Sequence, residues 1–127
     1  MSLRGLRVLV VDDEASLHAL YSRVARLAGA AGVDVADTAS AALELMVEHE
    51  YACVLLDKNL PDLGGLALAE IIHHSDPRAA IVIVTGYPST DSAIDAMRVG
   101  CFDYVEKPFQ VAALVDRVRA AFRAATT

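Results

Sequence analysis

Short runs of apolar residues alternate along the chain with longer segments in which apolar residues recur every three or four positions. The short runs lie at 7–11, 33–37, 52–57, 80–85 and 101–105, and each is rich in Val, Ile or Leu. The third and fourth runs contain the sequences CVLLD and IVIVT, which are apolar at successive positions. This pattern is typical of parallel strands that helices cover on both faces. The chain is therefore predicted to form five strands, the third and fourth of them fully buried.

The segments between these runs have the period of amphipathic helices. We predict helices that begin near Ser40 and Ser89, which are suitable N-cap residues, a helix over about 65–74, and a first helix that Gly29 or Gly32 closes. The positions expected to face the sheet are Leu17, Leu20, Tyr21, Val24 and Leu27 in the first helix, Leu43, Met46 and Val47 in the second, Leu66, Ala69 and Ile72 in the third, Ile94 and Met97 in the fourth, and Leu114, Val115, Val118 and Phe122 in the last.

Five strand–helix repeats without a long linker predict an α/β protein with a doubly wound (βα)5 fold and a five-stranded parallel sheet. We expect one domain over residues 5–124. Residues 1–4 then form an N-terminal extension, part of which is compatible with a cloning remnant. Residues 125–127 form a C-terminal tail or the start of a linker.

Composition narrows the classes of function. The 127 residues are 55% hydrophobic, but no apolar stretch approaches the roughly 18–20 residues of a membrane span, and no signal peptide is evident. We therefore expect a cytoplasmic protein that does not bind a membrane. The net charge of −6 argues against direct binding of nucleic acid through its phosphates. Cys53 and Cys101 lie in apolar contexts and are expected to be buried thiols.

Reactive side chains follow four of the five predicted strands. Asp12 and Asp13 come after the first strand, Asp57 ends the third, Thr85 ends the fourth, and Lys107 comes two residues after the fifth. In an open parallel sheet, ligands bind at the carboxyl ends of the strands, beside the point where the strand order reverses. We therefore expect these side chains to form one site.

Three converging carboxylates repel one another in a partly buried site, so the cluster needs a cation to stay ionised. Oxygen ligands without a soft donor favour Mg²⁺, with Mn²⁺ as the alternative. The acids after the first strand also exclude a glycine-rich nucleotide-binding loop at that place. Lys107 and Thr85 are suited to hold a phosphoryl group, which makes Asp57 the candidate nucleophile, since carboxylates form acyl phosphates.

Four segments together resemble the receiver domain of two-component response regulators, the CheY-like superfamily. They are VLVVDDE at 8–14, VLLDKNLPDLGG at 54–65, IVIVTGY at 81–87 and GCFDYVEKPF at 100–109. The resemblance covers essentially the whole chain in order and spacing. It implies a flavodoxin-like sheet with the strand order 2-1-3-4-5.

The resemblance also implies roles for single residues. Asp57 is the implied phosphoacceptor and one ligand of Mg²⁺. Asp13 is implied to bind the metal directly, Asp12 to act partly through water, and Asn59 to give its backbone carbonyl to the metal.

Further residues are implied to respond to the phosphoryl group. Lys107 pairs with it, and Thr85 moves to form a hydrogen bond with it. Tyr104 is the aromatic switch that turns inward when Thr85 moves, and Pro108 follows a cis peptide bond.

These roles predict a phosphoacceptor switch in a signalling domain rather than an enzyme, although one that catalyses its own phosphotransfer and dephosphorylation. The phosphodonor is a sensor histidine kinase, a phosphotransfer protein or a small molecule. The surface of helix four, strand five and helix five then changes to control an output domain or a downstream protein, and a homodimer that forms on phosphorylation is left open. Two alternatives remain, a receiver-like interaction module that phosphate does not regulate and an aspartate-dependent phosphohydrolase.

Overall fold

A computed structural model describes residues 6–126 of the chain. The expected extension at residues 1–4, Gly5 at the start of the expected domain, and Thr127 in the expected tail lie outside the described residues. The strands are β1 (Arg7–Val11), β2 (Gly32–Ala36), β3 (Cys53–Asp57), β4 (Ala80–Thr85) and β5 (Asp103–Glu106). The helices are α1 (Ala15–Leu27), α2 (Ala39–Glu48), α3 (Gly65–Ser75), α4 (Thr90–Arg98) and α5 (Val111–Thr126).

The strands form one parallel sheet in the order β2-β1-β3-β4-β5, which confirms the predicted fold. Strand β3 lies in the middle of this order, and all five of its residues are buried. All six residues of β4 are buried as well. Both strands are covered on two faces, which explains why their sequences are continuously apolar rather than alternating.

Two apolar cores cover the two faces of the sheet. One packs α1 and α5 against alternate strand residues such as Val10, Leu55 and Val82. The other packs α2, α3 and α4 against the intervening residues, such as Leu9 and Leu56. Successive strand residues point to opposite faces, so each buried strand contributes to both cores.

Several predicted boundaries differ from the observed ones. Strand β2 begins and ends one residue earlier than predicted, β3 begins at Cys53 rather than Ala52, and β5 spans Asp103–Glu106 rather than 101–105. Helix α2 is capped by Thr38, whose hydroxyl accepts a hydrogen bond from the backbone N–H of Ala41 at 3.0 Å. The predicted cap, Ser40, lies inside the first turn of that helix. Thr38 and Ser40 are both good N-cap residues, so composition alone did not choose between them.

Some apolar side chains that were predicted to face the sheet are exposed instead. Val47 is 87% exposed, and Met97 and Ile94 are 55% and 47% exposed. Small residues take the buried positions, namely Ala39 and Ala42 in α2 and Ala96 in α4. Both helices contact the sheet through these alanines, and their larger apolar side chains lie outside the contact.

Within residues 6–126, every helix is too short or too polar to cross a lipid bilayer.

Candidate functional site

An acidic cluster lies at the carboxyl edge of the sheet, between β1 and β3. Val11 pairs with Leu56 across these strands, so the next residues, Asp12 and Asp57, are neighbours. Asp12, Asp13 and Asp57 can each offer one oxygen such that these atoms lie within 4.8 Å of one another. Asp12 and Asp57 are buried and Asp13 is exposed. The structure thus brings together the three carboxylates that the sequence predicted to meet.

The carboxylate of Asp12 is held firmly in one orientation. Its Oδ1 accepts a hydrogen bond from the backbone N–H of Glu14 at 2.8 Å. Its Oδ2 accepts one from the hydroxyl of Tyr21 at 2.9 Å and another from Nζ of Lys107 at 2.8 Å. The side chain is only 1% exposed. Each of these donors stabilises a buried negative charge, so Asp12 is a fixed part of the site.

The carboxylate of Asp57 has weaker contacts. Its Oδ1 accepts a hydrogen bond from the backbone N–H of Asn59 at 3.2 Å, and its Oδ2 lies 3.7 Å from Nζ of Lys107. Burial raises the pKa of Asp57 above its ordinary value, and the charges of Asp12 and Asp13 add to this, although Asn59 and Lys107 act in the opposite direction. Asp57 is therefore a carboxylate in need of a further positive partner.

The main chain around Asp57 is tightly packed. A Cβ at Gly65 would lie 2.2 Å from the carbonyl oxygen of Asp57, and Gly65 donates its N–H to the carbonyl of Lys58 at 2.7 Å. Only glycine fits this close approach. The turn between β3 and α3 thereby fixes the position of Asp57 at the end of its strand.

Lys107 brings the cation of the site from the far end of the chain. Its ammonium bonds Asp12 at 2.8 Å and Glu14 at 2.9 Å. Burial lowers the pKa of Lys107, but its hydrogen bonds to these two acids outweigh that effect, so the pKa is raised. Lys107 remains charged at neutral pH and neutralises part of the acidic cluster.

The site fits a divalent cation. The carboxylates of Asp12, Glu14 and Asp57 lie within 4 Å of the Lys107 ammonium, Asp13 completes the acidic cluster, and all of the donor atoms of the cluster are oxygens. Hard cations such as Mg²⁺ take oxygen ligands of this kind and tolerate exposed positions that water completes. The acidic cluster can therefore hold a metal, and the exposed Asp13 leaves one side accessible from solvent.

Thr85 and Tyr104 lie on the neighbouring strands β4 and β5. Thr85 is fully buried, and its hydroxyl accepts a hydrogen bond from the backbone N–H of Tyr87 at 3.0 Å. Tyr104 is half-buried, and its hydroxyl accepts one from the N–H of Ser89 at 3.4 Å. The Lys107–Pro108 peptide bond is cis.

Sequence reasoning missed the side-chain contacts of four residues in and around the site. Tyr21 was assigned to the core stripe of α1, yet its hydroxyl reaches Asp12. Glu14 was grouped with the acids but not paired with Lys107. Asp62 accepts hydrogen bonds from two N–H groups at the start of α2, and these bonds lower its pKa. Lys58 reaches the β4–α4 loop. Of these four, the contact of Tyr21 could have been inferred from the sequence, because the hydroxyl of a tyrosine in an apolar stripe needs a hydrogen-bond partner when it is buried.

A groove of about 450 Å³ opens beside the acidic cluster. Its lining combines apolar side chains from α1 and from the segment after β5 with the polar groups of the site. The lining residues are Glu14, Leu17, Leu20, Gly86, Tyr87, Lys107, Pro108 and Phe109. A partner that approaches Lys107 from solvent meets an apolar surface there.

A family model for the response regulator receiver domain matches residues 8–119. The chain belongs to this family. Among curated relatives of this receiver domain, the response regulator protein FleR of Pseudomonas aeruginosa is 36% identical over 112 residues, which are 88% of this chain and 24% of FleR. The transcriptional regulatory protein FixJ of Azorhizobium caulinodans is 32% identical over 118 residues, or 91% of this chain and 54% of FixJ. The chain thus spans about a quarter to a half of the length of these relatives.

Solved structures show the same fold. A CheY-like receiver domain protein from Methanospirillum hungatei superposes with a TM-score of 0.89 at 26% identity, covering 95% of this chain and 96% of that chain. The receiver domain of NtrC4, in a beryllofluoride-activated dimer, gives a TM-score of 0.87 at 31% identity and covers 94% and 98% of the two chains. The chain is therefore a receiver domain homologous to those of two-component response regulators, a signalling domain rather than a classical enzyme.

Proposed function

We propose that Asp57 is the phosphoacceptor of this receiver domain. Its phosphorylation requires Mg²⁺ or Mn²⁺ bound at the acidic cluster. The proposal rests on one observation: the polar contacts of Asp12 are shorter and more numerous than those of Asp57. Asp12 is fixed by three donors at 2.8–2.9 Å, whereas the contacts of Asp57 are 3.2 and 3.7 Å long. A nucleophile needs an oxygen that can leave its present contacts, and Asp57 has one.

In the proposed reaction, an oxygen of Asp57 attacks the phosphorus of a phosphohistidine or of a small acyl phosphate. The new O–P bond forms as the bond from phosphorus to the imidazole nitrogen or to the acyl oxygen breaks, and the leaving group keeps the electron pair. Lys107 lies 3.7 Å from Asp57 and neutralises charge on the phosphoryl oxygens. Thr85 turns its hydroxyl toward the same group.

The metal would be held by Asp12, Asp13, Asp57 and the backbone carbonyl of Asn59. When bound, it offsets the charge of the carboxylates and of the incoming phosphoryl group. Asp12 contributes by staying in place, since Tyr21 and the N–H of Glu14 orient its two oxygens. Pro108, after its cis bond, belongs to the turn that follows Lys107.

The proposed partners follow from the family and the surface. A sensor histidine kinase or a phosphotransfer protein presents the phosphohistidine, and the groove next to Lys107 gives it an apolar surface to contact. Occupancy of Asp57 is reported through Thr85 and Tyr104 to the face of α4, β5 and α5. That face then acts on an output domain, on a downstream protein, or on a second phosphorylated copy of the domain. The NtrC4 receiver domain is a dimer in its beryllofluoride-activated form.

The test uses acetyl phosphate as the donor and intact mass as the readout. The domain is expected to gain one phosphoryl group with Mg²⁺ and none in EDTA, and Asp57→Asn is expected to gain none. Asp116→Asn is the matched control, because it removes a carboxylate from an exposed position of α5 and keeps the site whole. Labelling that survives Asp57→Asn, or that does not need a metal, would refute the assignment. A wild-type domain that stays unmodified would favour the interaction module.

A further inference from the structure

Lys58 follows the proposed phosphoacceptor in sequence, but its ammonium contacts another part of the molecule. Its Nζ donates one hydrogen bond to the backbone carbonyl of Tyr87, in the β4–α4 loop, and another to the hydroxyl of Ser92 at 3.1 Å, in the first turn of α4. We propose that this pair of hydrogen bonds, the Lys58 bridge, holds α4 in the unphosphorylated conformation and opens on phosphorylation. The inference rests on the proposed function and concerns the regulation of that same site.

With the bridge in place, both backbone polar groups of Tyr87 are hydrogen-bonded to side chains. Its N–H donates to the hydroxyl of Thr85 at 3.0 Å, and its carbonyl accepts from Lys58. If the Thr85 hydroxyl turns to a phosphoryl group on Asp57, the N–H of Tyr87 loses this acceptor and the loop is released on one side. The hydrogen bond from Lys58 still holds the carbonyl of Tyr87. The bridge thus opposes the movement that the proposed switch requires.

The bridge is also joined to Tyr104 through the N-cap of α4. Ser92 donates its N–H to the hydroxyl of Ser89 at 3.0 Å, and the Ser89 hydroxyl donates to that of Ser92 at 2.8 Å. The N–H of Ser89 in turn donates to the hydroxyl of Tyr104 at 3.4 Å. One continuous set of hydrogen bonds therefore runs from the residue beside Asp57 to the aromatic residue on β5. Opening it at Lys58 frees the cap that Tyr104 contacts.

The choice of side chain is consistent with this role. The chain has 11 Lys and Arg residues, and Lys58 and Lys107 are the only lysines among them. An ammonium offers three donors in a tetrahedral arrangement on a flexible stem, whereas a guanidinium offers a planar fork. A carbonyl on a loop and a hydroxyl on a helix are two separate acceptors, which suit the ammonium.

Removing Lys58 would also remove a positive charge one residue from Asp57, and this charge attracts a phosphoryl group directly. The cleaner perturbation is Ser92→Ala, which deletes the acceptor on α4 and keeps the charge. Ser92→Thr restores a hydroxyl. Ser75→Ala is the matched control, since its hydroxyl bonds the carbonyl of Ile71 within α3 and lies outside the bridge.

The measurement is the apparent affinity for beryllofluoride at a fixed Mg²⁺ concentration, followed through backbone amide resonances. One lost hydrogen bond in the unphosphorylated state corresponds to about two- to tenfold tighter binding by Ser92→Ala. Ser92→Thr and Ser75→Ala are expected to bind like wild type. In a Lys58→Met background, the effect of Ser92→Ala is expected to be smaller, because the bridge is already gone and only the hydrogen bond between Ser89 and Ser92 remains to be lost.

Binding by Ser92→Ala that is unchanged or weaker overturns the proposal, and so does an equal gain in the wild-type and Lys58→Met backgrounds. Amide exchange at Ala93, whose N–H bonds the carbonyl of Ser89 in the first turn of α4, gives a second readout without phosphate or its mimic. It is expected to be faster in Ser92→Ala and in Lys58→Met than in wild type, and an unchanged rate contradicts the bridge itself. Failure of wild type to bind beryllofluoride or to accept phosphate refutes the proposed function, a result distinct from either of these.

Discussion

Replacing Asp57 by Asn is expected to stabilise the metal-free domain. The carboxylate of Asp57 lies within 4.8 Å of ligand oxygens of Asp12 and Asp13, and 3.7 Å from the ammonium of Lys107. With an effective dielectric constant of about 20, each repulsion amounts to about 3.5 kcal/mol and the attraction to about 4.5 kcal/mol. Solvent weakens the share of Asp13, which is exposed. The repulsions still exceed the attraction, so Asp57→Asn is expected to raise the free energy of unfolding by about 1–3 kcal/mol.

The dependence on pH has a definite sign. Burial and the neighbouring acids raise the pKa of Asp57 above its ordinary 3.8, so ionisation of this group costs the folded state free energy. The advantage of Asp57→Asn is therefore complete above the raised pKa and shrinks as the pH falls through it toward 3.8. Mg²⁺ acts in the same direction as the substitution, because it stabilises the folded wild type by binding to it. Adding Mg²⁺ is therefore expected to reduce the difference in free energy of unfolding between Asp57→Asn and wild type.

Urea unfolding in EDTA, repeated with Mg²⁺ and across this pH range, measures these differences. Glu44→Gln is the control, since it removes the same formal charge from an exposed position of α2. If Asp57→Asn is less stable than wild type in EDTA, or if Glu44→Gln gives an equal gain, the repulsion assigned to the acidic cluster is wrong.

Three further predictions concern the support of the site. Gly65→Ala is expected to lower the free energy of unfolding by about 2 kcal/mol or more, because the new Cβ would lie 2.2 Å from a carbonyl oxygen. A Cβ at Gly64 meets open space, so Gly64→Ala is expected to be neutral or slightly stabilising. Urea unfolding compares the two variants. Tyr21→Phe removes a hydroxyl that donates to a buried carboxylate, and a loss of about 1–3 kcal/mol is expected in the same assay; a loss below about 0.5 kcal/mol would contradict this. Burial raises the pKa of the thiols of Cys53 and Cys101 to about 12, so neither is expected to react with an aromatic disulfide reagent at pH 8 until the domain is unfolded; rapid reaction of the native protein would contradict it.

The sheet and the acidic cluster were predictable from the sequence for the same reason. Strands β3 and β4 are buried at every position and apolar at every position except the last, Asp57 and Thr85, so the sequence alone indicates where each strand runs and where it ends. Once the strands are placed, the fold brings their carboxyl ends together, and Asp12 and Asp57 meet although 45 positions separate their numbers. The periodicity did not specify which apolar residues of α2 and α4 are buried. Those helices contact the sheet through alanine, and alanine gives a weak hydropathy signal.

The long polar contacts were not predictable in the same way. Lys58 has a stem long enough to point toward Asp57, toward solvent or toward α4, and only the packed loops determine which acceptors it meets. The hydrogen bonds of Asp62 to the start of α2 join segments that are distant in sequence, so the sequence analysis assigned Asp62 no role. Side-chain hydrogen bonds of this kind depend on tertiary distances of a few ångströms, which no local pattern encodes.

The strand order has a consequence for how different parts of the domain open. Strand β5 ends the sheet, has four residues, and is only partly buried, whereas β3 lies in the middle and is wholly buried. Short edge segments open locally at a lower free energy than central ones. Amide exchange in β5 should therefore be faster than in β3, under conditions where the domain as a whole stays folded. The fold thus places Tyr104 and the approach to Lys107 on a short, partly buried edge strand, and the proposed phosphoacceptor on the central, wholly buried one.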